Sequence, residues 1–107
     1  MDVIFDGSKI WVANNGSDSV SILRARDGSL LTEFKTERQP VDFAFDGRQM
    51  WLTHSAEDIV TRHRDRDGSL SGVFHLQDGP EGILFDGTSI WVSNFNSGTV
   101  GKISHTR

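Results

Sequence analysis

The 107-residue chain contains no cysteine. That excludes a disulfide scaffold, a cysteine-held metal cluster and a thiol nucleophile. No apolar run approaches the ~18 residues of a membrane span. The opening stretch, Met1 to Lys9, has neither the basic leader nor the apolar core of a signal peptide, so a soluble chain is expected, in no particular compartment. Net charge is −4, which argues against a sequence-independent grip on nucleic acid. Only two prolines are present. No stretch places apolar residues at i, i+3, i+4 and i+7 over helical length, so no helix is predicted.

What the chain does contain is a period. Phe-Asp-Gly occurs at Phe5-Asp6-Gly7, Phe45-Asp46-Gly47 and Phe85-Asp86-Gly87, forty residues apart each time. Trp11, Trp51 and Trp91 follow in phase, as do Val20, Val60 and Val100. Arg26-Asp27-Gly28-Ser29-Leu30 returns at Arg66 to Leu70, Phe34 matches Phe74, and Pro40 matches Pro80. Residues 1–40 and 41–80 share 15 identities without a gap. Residues 81–107 match the first part of the unit. The expected units are therefore 1–40, 41–80 and a partial third, 81–107.

Within one unit, four short runs rich in β-branched and aromatic residues are separated by turn residues, and each reads as a strand. In order they are strands A to D. Asp-Gly supplies the positive φ that tight hairpins need. Four meandering strands per forty residues is the period of a β-propeller blade. The expected fold is all-β, about 2.7 four-stranded blades. Phe5, Trp11, Phe85 and Trp91 are then filler between blades or between chains. A tryptophan stripe would alternatively stack sugars, but identical phase in every copy favours core.

The pattern Phe-Asp-Gly-x-x-Ile-Trp-Val-x-Asn, followed by a valine strand, Asp-Gly and proline, resembles the YVTN/NHL-like β-propeller repeats, including those of virginiamycin B lyase-like propellers. Ile10-Trp11-Val12-Ala13-Asn14 and Ile90-Trp91-Val92-Ser93-Asn94 carry the likeness best. Met50-Trp51-Leu52-Thr53-His54 departs from it by placing His where Asn stands. The resemblance implies a propeller fold. Related lyases and lactonases hold catalytic sets on several blades, often with a divalent metal; no set here matches them, so no catalytic residue, metal ligand or cofactor is assigned.

Fewer than four blades leave apolar flanks bare, and the simplest cover is a second copy. Two chains give a six-bladed ring, the favoured homodimer. A trimer, with nine inner strands, falls outside the common four to eight. The third unit has no strand D, and it is expected to stay three-stranded rather than borrow a strand. A–B and C–D turns lie on one side of such a ring, B–C and D–A loops on the other. The second kind varies between copies, which marks it as the binding face for a small ligand or peptide. Its candidate ligand-binding residues are Asn14, Asp42, His54, Glu81, Asn94 and Phe95. Asp6, Asp46 and Asp86 are read as turn formers. Asp2, Asp42 and Glu81 together suggest an acidic ring fit for a cation such as Ca2+, which Gly82 interrupts. His63 and His75 are expected to be solvated or half-buried. The leading functional reading is a self-assembling binding or protein-interaction scaffold, with no nucleic-acid or membrane partner. The alternatives are a metal-assisted lyase or hydrolase with its site at the ring mouth, and a propeller fragment whose only property is assembly.

Overall fold

The computed structural model describes residues 3–14, 16–36, 40–54, 57–76, 79–94 and 97–104. Eleven strands run β1 (Val3–Phe5), β2 (Lys9–Asn14), β3 (Ser19–Arg24), β4 (Leu30–Lys35), β5 (Pro40–Phe45), β6 (Gln49–His54), β7 (Ile59–Arg64), β8 (Leu70–His75), β9 (Pro80–Phe85), β10 (Ser89–Asn94) and β11 (Thr99–Ser104). They form three antiparallel meanders, β1-β2-β3-β4, β5-β6-β7-β8 and β9-β10-β11. The chain is thus an all-β stack of about 2.7 propeller blades, with β1, β5 and β9 as the inner A strands. The forty-residue phase extends to irregularities: β3/β4 slip register between Ile22 and Leu23, and β7/β8 between Arg62 and His63.

Local chemistry accounts for each A–B turn. Gly7, Gly47 and Gly87 sit at φ of 103°, 94° and 104°, where a side chain would be strained. The preceding aspartate closes the A–B hairpin through its own amide, as Asp6 N–H donates to Lys9 O at 3.0 Å. Its carboxylate does two further things. In the first blade Asp6 Oδ1 accepts the amides of Ser8 (2.9 Å) and Lys9 (2.7 Å), while Oδ2 accepts Trp11 Nε1 at 2.9 Å. The same Oδ2 bond joins Asp46 to Trp51 at 2.8 Å and Asp86 to Trp91 at 2.6 Å. A buried indole needs a partner for its N–H. The turn aspartate supplies it, so one residue shapes the hairpin and anchors the core ring.

Blades pack face to face. The first seam buries Trp11, Ala13, Val20 and Ile22 against Phe43, Met50 and Leu52 of the second blade. Phe43, although out of the repeat phase, meets Trp11 edge to face with ring centroids 6.4 Å apart. The second seam buries Ala44, Trp51 and Val60 against Ile83, Ile90 and Val92, with Phe74, Phe85 and Ile103 packed alongside. Each blade therefore has a trailing flank, built on the Trp and the strand C valine, and a leading flank, built on apolar residues of strands A and B.

Candidate functional site

Asn14, His54 and Asn94 all end strand B on the B–C loop side, but each side chain turns sideways onto strand C. Asn14 Nδ2 donates to Ser21 Oγ at 2.8 Å and to Ser19 Oγ at 3.4 Å. Asn94 Nδ2 reaches Thr99 Oγ1 at 3.3 Å. His54 is fully buried, with Nε2 2.7 Å from Thr61 Oγ1. The same hydroxyl lies 2.9 Å from His63 Nε2, and His63 Nδ1 lies 3.0 Å from the Gly68 carbonyl. A carbonyl only accepts, so His63 carries its proton on Nδ1. Its Nε2 then accepts from Thr61, and Thr61 accepts from His54 Nε2–H. The resulting polar relay spans the second blade from its B–C end to its C–D turn. Phe95, like Asp2 of the expected acidic ring, lies outside the described residues.

His63 corrects the sequence expectation: it is buried, not solvated or half-buried, and its ring lies 5.2 Å from that of Phe34 across the first seam. Burial pushes its pKa below the ordinary imidazole value, partly opposed by the Gly68 carbonyl. The signal for this was strand alternation, which puts Thr61 and His63 on the same flank of β7.

Asp42 and Glu81 are linked through Thr53 at the inner strands of the second seam. Asp42 Oδ1 accepts Phe43 N–H (2.9 Å) and Oδ2 accepts Ile83 N–H (3.1 Å) from the neighbouring blade. Thr53 Oγ1 receives Asp42 N–H at 3.2 Å and donates to the Glu81 carbonyl at 2.7 Å. Among the described residues no group of three or more His, Asp or Glu is placed to hold a metal ion.

On the opposite side, the A–B and C–D turns make a charged cluster across the first seam. Lys9 Nζ lies 3.4 Å from both Asp6 Oδ2 and Asp65 Oδ2. Burial, a hydrogen bond shared with Asp6 and the Asp6 charge push the Asp65 carboxyl up to about 6, against the pull of Lys9. Burial alone would raise Asp6 too, but the shared bond with Asp65 and the Lys9, Ser8 and Trp11 donors hold it well below the usual carboxylate range. Sequence reasoning missed this cluster because Asp65 has no acidic counterpart at Ala25.

The two outer flanks are open. On the trailing flank of the third blade Val100 is 66% and Leu84 62% exposed, and Trp91 is half-buried, although Trp11, Trp51, Val20 and Val60 at equivalent positions are sealed. These residues line a groove of about 320 Å3 that Ile83, Val92 and Asp42 also edge. On the leading flank of the first blade Phe5 is 60% and Val3 57% exposed, where Phe43 and Ile83 are buried. Of the four interface candidates, then, Trp11 and Phe85 pack within the chain, and Phe5 and Trp91 stand on the open flanks.

No family model and no curated protein matches the chain. Solved structures do, and they are β-propeller and WD40-type proteins. Dihydro-heme d1 dehydrogenase NirN superposes with a TM-score of 0.76 at 16% identity, over 94% of this chain and 22% of that one. Hydrazine synthase of Kuenenia stuttgartiensis gives 0.71 at 21%, over 94% and 34%. The RRP9 WD40 repeats give 0.70 at 15%, over 96% and 38%. The chain spans between about a fifth and two-fifths of the length of such structures. At these identities the shared property is the fold: the chain is built of β-propeller blades.

Proposed function

We propose that this chain is a self-completing propeller, in which two copies join trailing flank to leading flank as a six-bladed ring that serves as a binding or protein-interaction scaffold. The blades are read as the YVTN/NHL type, on the Phe-Asp-Gly to Asn pattern. One observation carries the closure: the two open flanks are the two halves of a seam that the chain already forms twice. Leu84, Trp91 and Val100 stand where Ala44, Trp51 and Val60 are buried, and Val3, Ile10 and Val12 stand where Ile83, Ile90 and Val92 cover them. Burying each such side chain contributes ~1.5–3 kcal/mol. Ligand or peptide binding is assigned to the B–C and D–A loop face, whose candidates from the sequence are Asn14, Asp42, His54, Glu81, Asn94 and Phe95. The scaffold reading is favoured over an enzyme because Asn14 Nδ2, Asn94 Nδ2 and His54 Nε2, at the ends of strand B, are each taken up by a strand C hydroxyl.

Light scattering tests the closure. A mass of about 24 kDa, twice the 11.9 kDa chain, is expected. A folded species of single-chain mass at every concentration overturns it. The partial span of the matched structures favours a second reading, in which further blades of a longer chain cover the same flanks. That reading gains if single chains stay monomeric and expose their flanks to a hydrophobic dye.

A further inference from the structure

The polar relay of the second blade has no counterpart in the other two repeat units. Ser21 and Gly101 stand at the repeat position of Thr61, Leu23 and Ile103 at that of His63, and Asn14 and Asn94 at that of His54. Strand geometry brings its parts together. Thr61 and His63 share a flank of β7, and Thr61 lies opposite Leu52, which sets it diagonal to His54 two residues along β6. His54, Thr61 and His63 are 0%, 1% and 4% exposed, so water does not replace a bond that one of them loses.

The fixed point of the relay is the Gly68 carbonyl, which accepts from His63 Nδ1–H at 3.0 Å and has no proton to give. With both rings neutral the bonds run one way. His54 Nε2–H donates to Thr61 Oγ1 at 2.7 Å, and the Thr61 hydroxyl donates to His63 Nε2 at 2.9 Å. A proton added to His63 binds at Nε2, its remaining lone pair. His63 then donates at both ends. Thr61 Oγ1 must accept from it, and its own hydroxyl proton is left for His54. That proton finds an acceptor only if His54 Nε2 is bare, with the His54 proton on Nδ1. Keeping His54 Nε2–H would set two donors on one hydroxyl and orphan the hydroxyl proton in a sealed site.

We propose that His54, Thr61 and His63 form a pH-sensitive hydrogen-bond switch, in which protonation of His63 reverses the Thr61 hydroxyl and moves the His54 proton from Nε2 to Nδ1. One proton enters from solvent at His63 Nε2, while His54 gives one up at Nε2 and takes one at Nδ1, so net uptake is one. The groups around His63 carry no charge: Met50 and Leu70 lie opposite it on β6 and β8, and Phe34 covers it from the first blade. His54 has Pro40 and Ile59 opposite it on β5 and β7. Titratable groups stand at the two ends of the relay. Asp65, with Lys9 and Asp6, is at the C–D turn, and Glu57 and Asp58 are in the B–C loop. Burial keeps His63 neutral at neutral pH, so the switch is thrown below the ordinary imidazole value of 6.5. A change at the C–D end is thereby felt where the B–C loop begins. Only its use in ligand binding rests on the loop-face reading above.

Long-range proton–nitrogen NMR correlation, which shows which ring nitrogens carry protons, tests this on the ligand-free chain through a pH titration. At neutral pH His63 should hold its proton on Nδ1 and His54 on Nε2. As pH falls, His63 should gain a second proton and His54 should pass to Nδ1–H with the same midpoint. Thr61→Val should uncouple the two rings, leaving His54 on Nε2 at a pH where His63 is charged. Thr61→Ser, which keeps the hydroxyl, should restore the coupling. Asp65→Asn should leave the coupling intact, which separates the switch from the charged cluster. The proposal is overturned if His54 keeps Nε2–H while His63 takes its second proton, or if the chain unfolds before His63 titrates. Coupling that survives in Thr61→Val, or is lost in Asp65→Asn, overturns it equally. Since no ligand is present, failure of the switch and failure of the loop-face reading are separate results.

Discussion

Replacing Asp46 by alanine removes three bonds at once, from the amides of Arg48 (2.8 Å) and Gln49 (2.7 Å) and from Trp51 Nε1 (2.8 Å). Asp46 is 2% exposed and Trp51 is sealed in the second seam. The indole N–H is therefore left in a site that water does not reach. A charge-assisted bond contributes ~1.5–3 kcal/mol, and an orphaned buried donor costs ~1–3 kcal/mol, so Asp46→Ala should cost about 2–4 kcal/mol. Urea unfolding followed by tryptophan fluorescence measures it. Trp51→Phe in the same background should give back part of the loss, because the orphaned donor is gone while the ring remains. Asp86→Ala is the internal control. Its bond to Trp91 is just as short, at 2.6 Å, and the indole with the Ser89 and Thr88 amides holds the Asp86 carboxyl well below the usual carboxylate range. Yet Asp86 is exposed and Trp91 only half-buried, so water replaces what alanine removes, and the loss should be much smaller. Equal losses for the two variants, in material of single-chain mass, would refute the claim that burial sets the value of this bond. In a two-chain ring the Asp86→Ala loss should instead grow and depend on protein concentration.

The charged cluster predicts a pH effect of definite sign. The folded pKa of Asp65, at about 6, lies above its ordinary value of 3.8. Its contribution is complete below that ordinary value and is lost as pH rises through about 6. Asp65→Asn should therefore stabilise the protein at pH 7 by about 1 kcal/mol, after allowing for solvent screening, and leave pH 4 unchanged; destabilisation at pH 7 by urea midpoint would sink this reading. His63 acts in the opposite direction, since its lowered pKa gives stability that is present above 6.5 and lost as pH falls through the folded value. The wild-type profile should accordingly be flatter than that of Asp65→Asn, and His63 should titrate below 6.5 by NMR. Gly68→Ala should cost more than 2 kcal/mol and Gly28→Ala only about 1–2, by thermal unfolding. Both glycines have positive φ, but a Cβ at Gly68 would stand 2.5 Å from the Phe34 ring and one at Gly28 would meet nothing within 4 Å. Val3→Asp should hold the mass at one chain in light scattering at concentrations where the unsubstituted protein gives two.

The blade was legible in the sequence because it is written three times. A forty-residue phase needs no knowledge of contacts, and it located the strands, the glycine turns and the aromatic filler together. The bond from turn aspartate to tryptophan was not legible, although both residues repeat, because a five-residue spacing brings two side chains together only after the hairpin has closed. Burial was readable where one flank is free. β2 keeps a half-alternating pattern, with Trp11 and Ala13 sealed and Ile10 and Val12 half-open. In β6 and β7 the alternation is gone, since the middle blade is covered on both sides and even Thr53, His54, Thr61 and His63 are sealed. A repeat unit states what a side chain is, not whether a neighbouring blade lies beyond it. Trp11 and Trp91 have the same turn, the same aspartate bond and the same strand, yet one is core and the other half-exposed. Composition cannot separate them, so the behaviour of the outer flanks depends on what is brought against them.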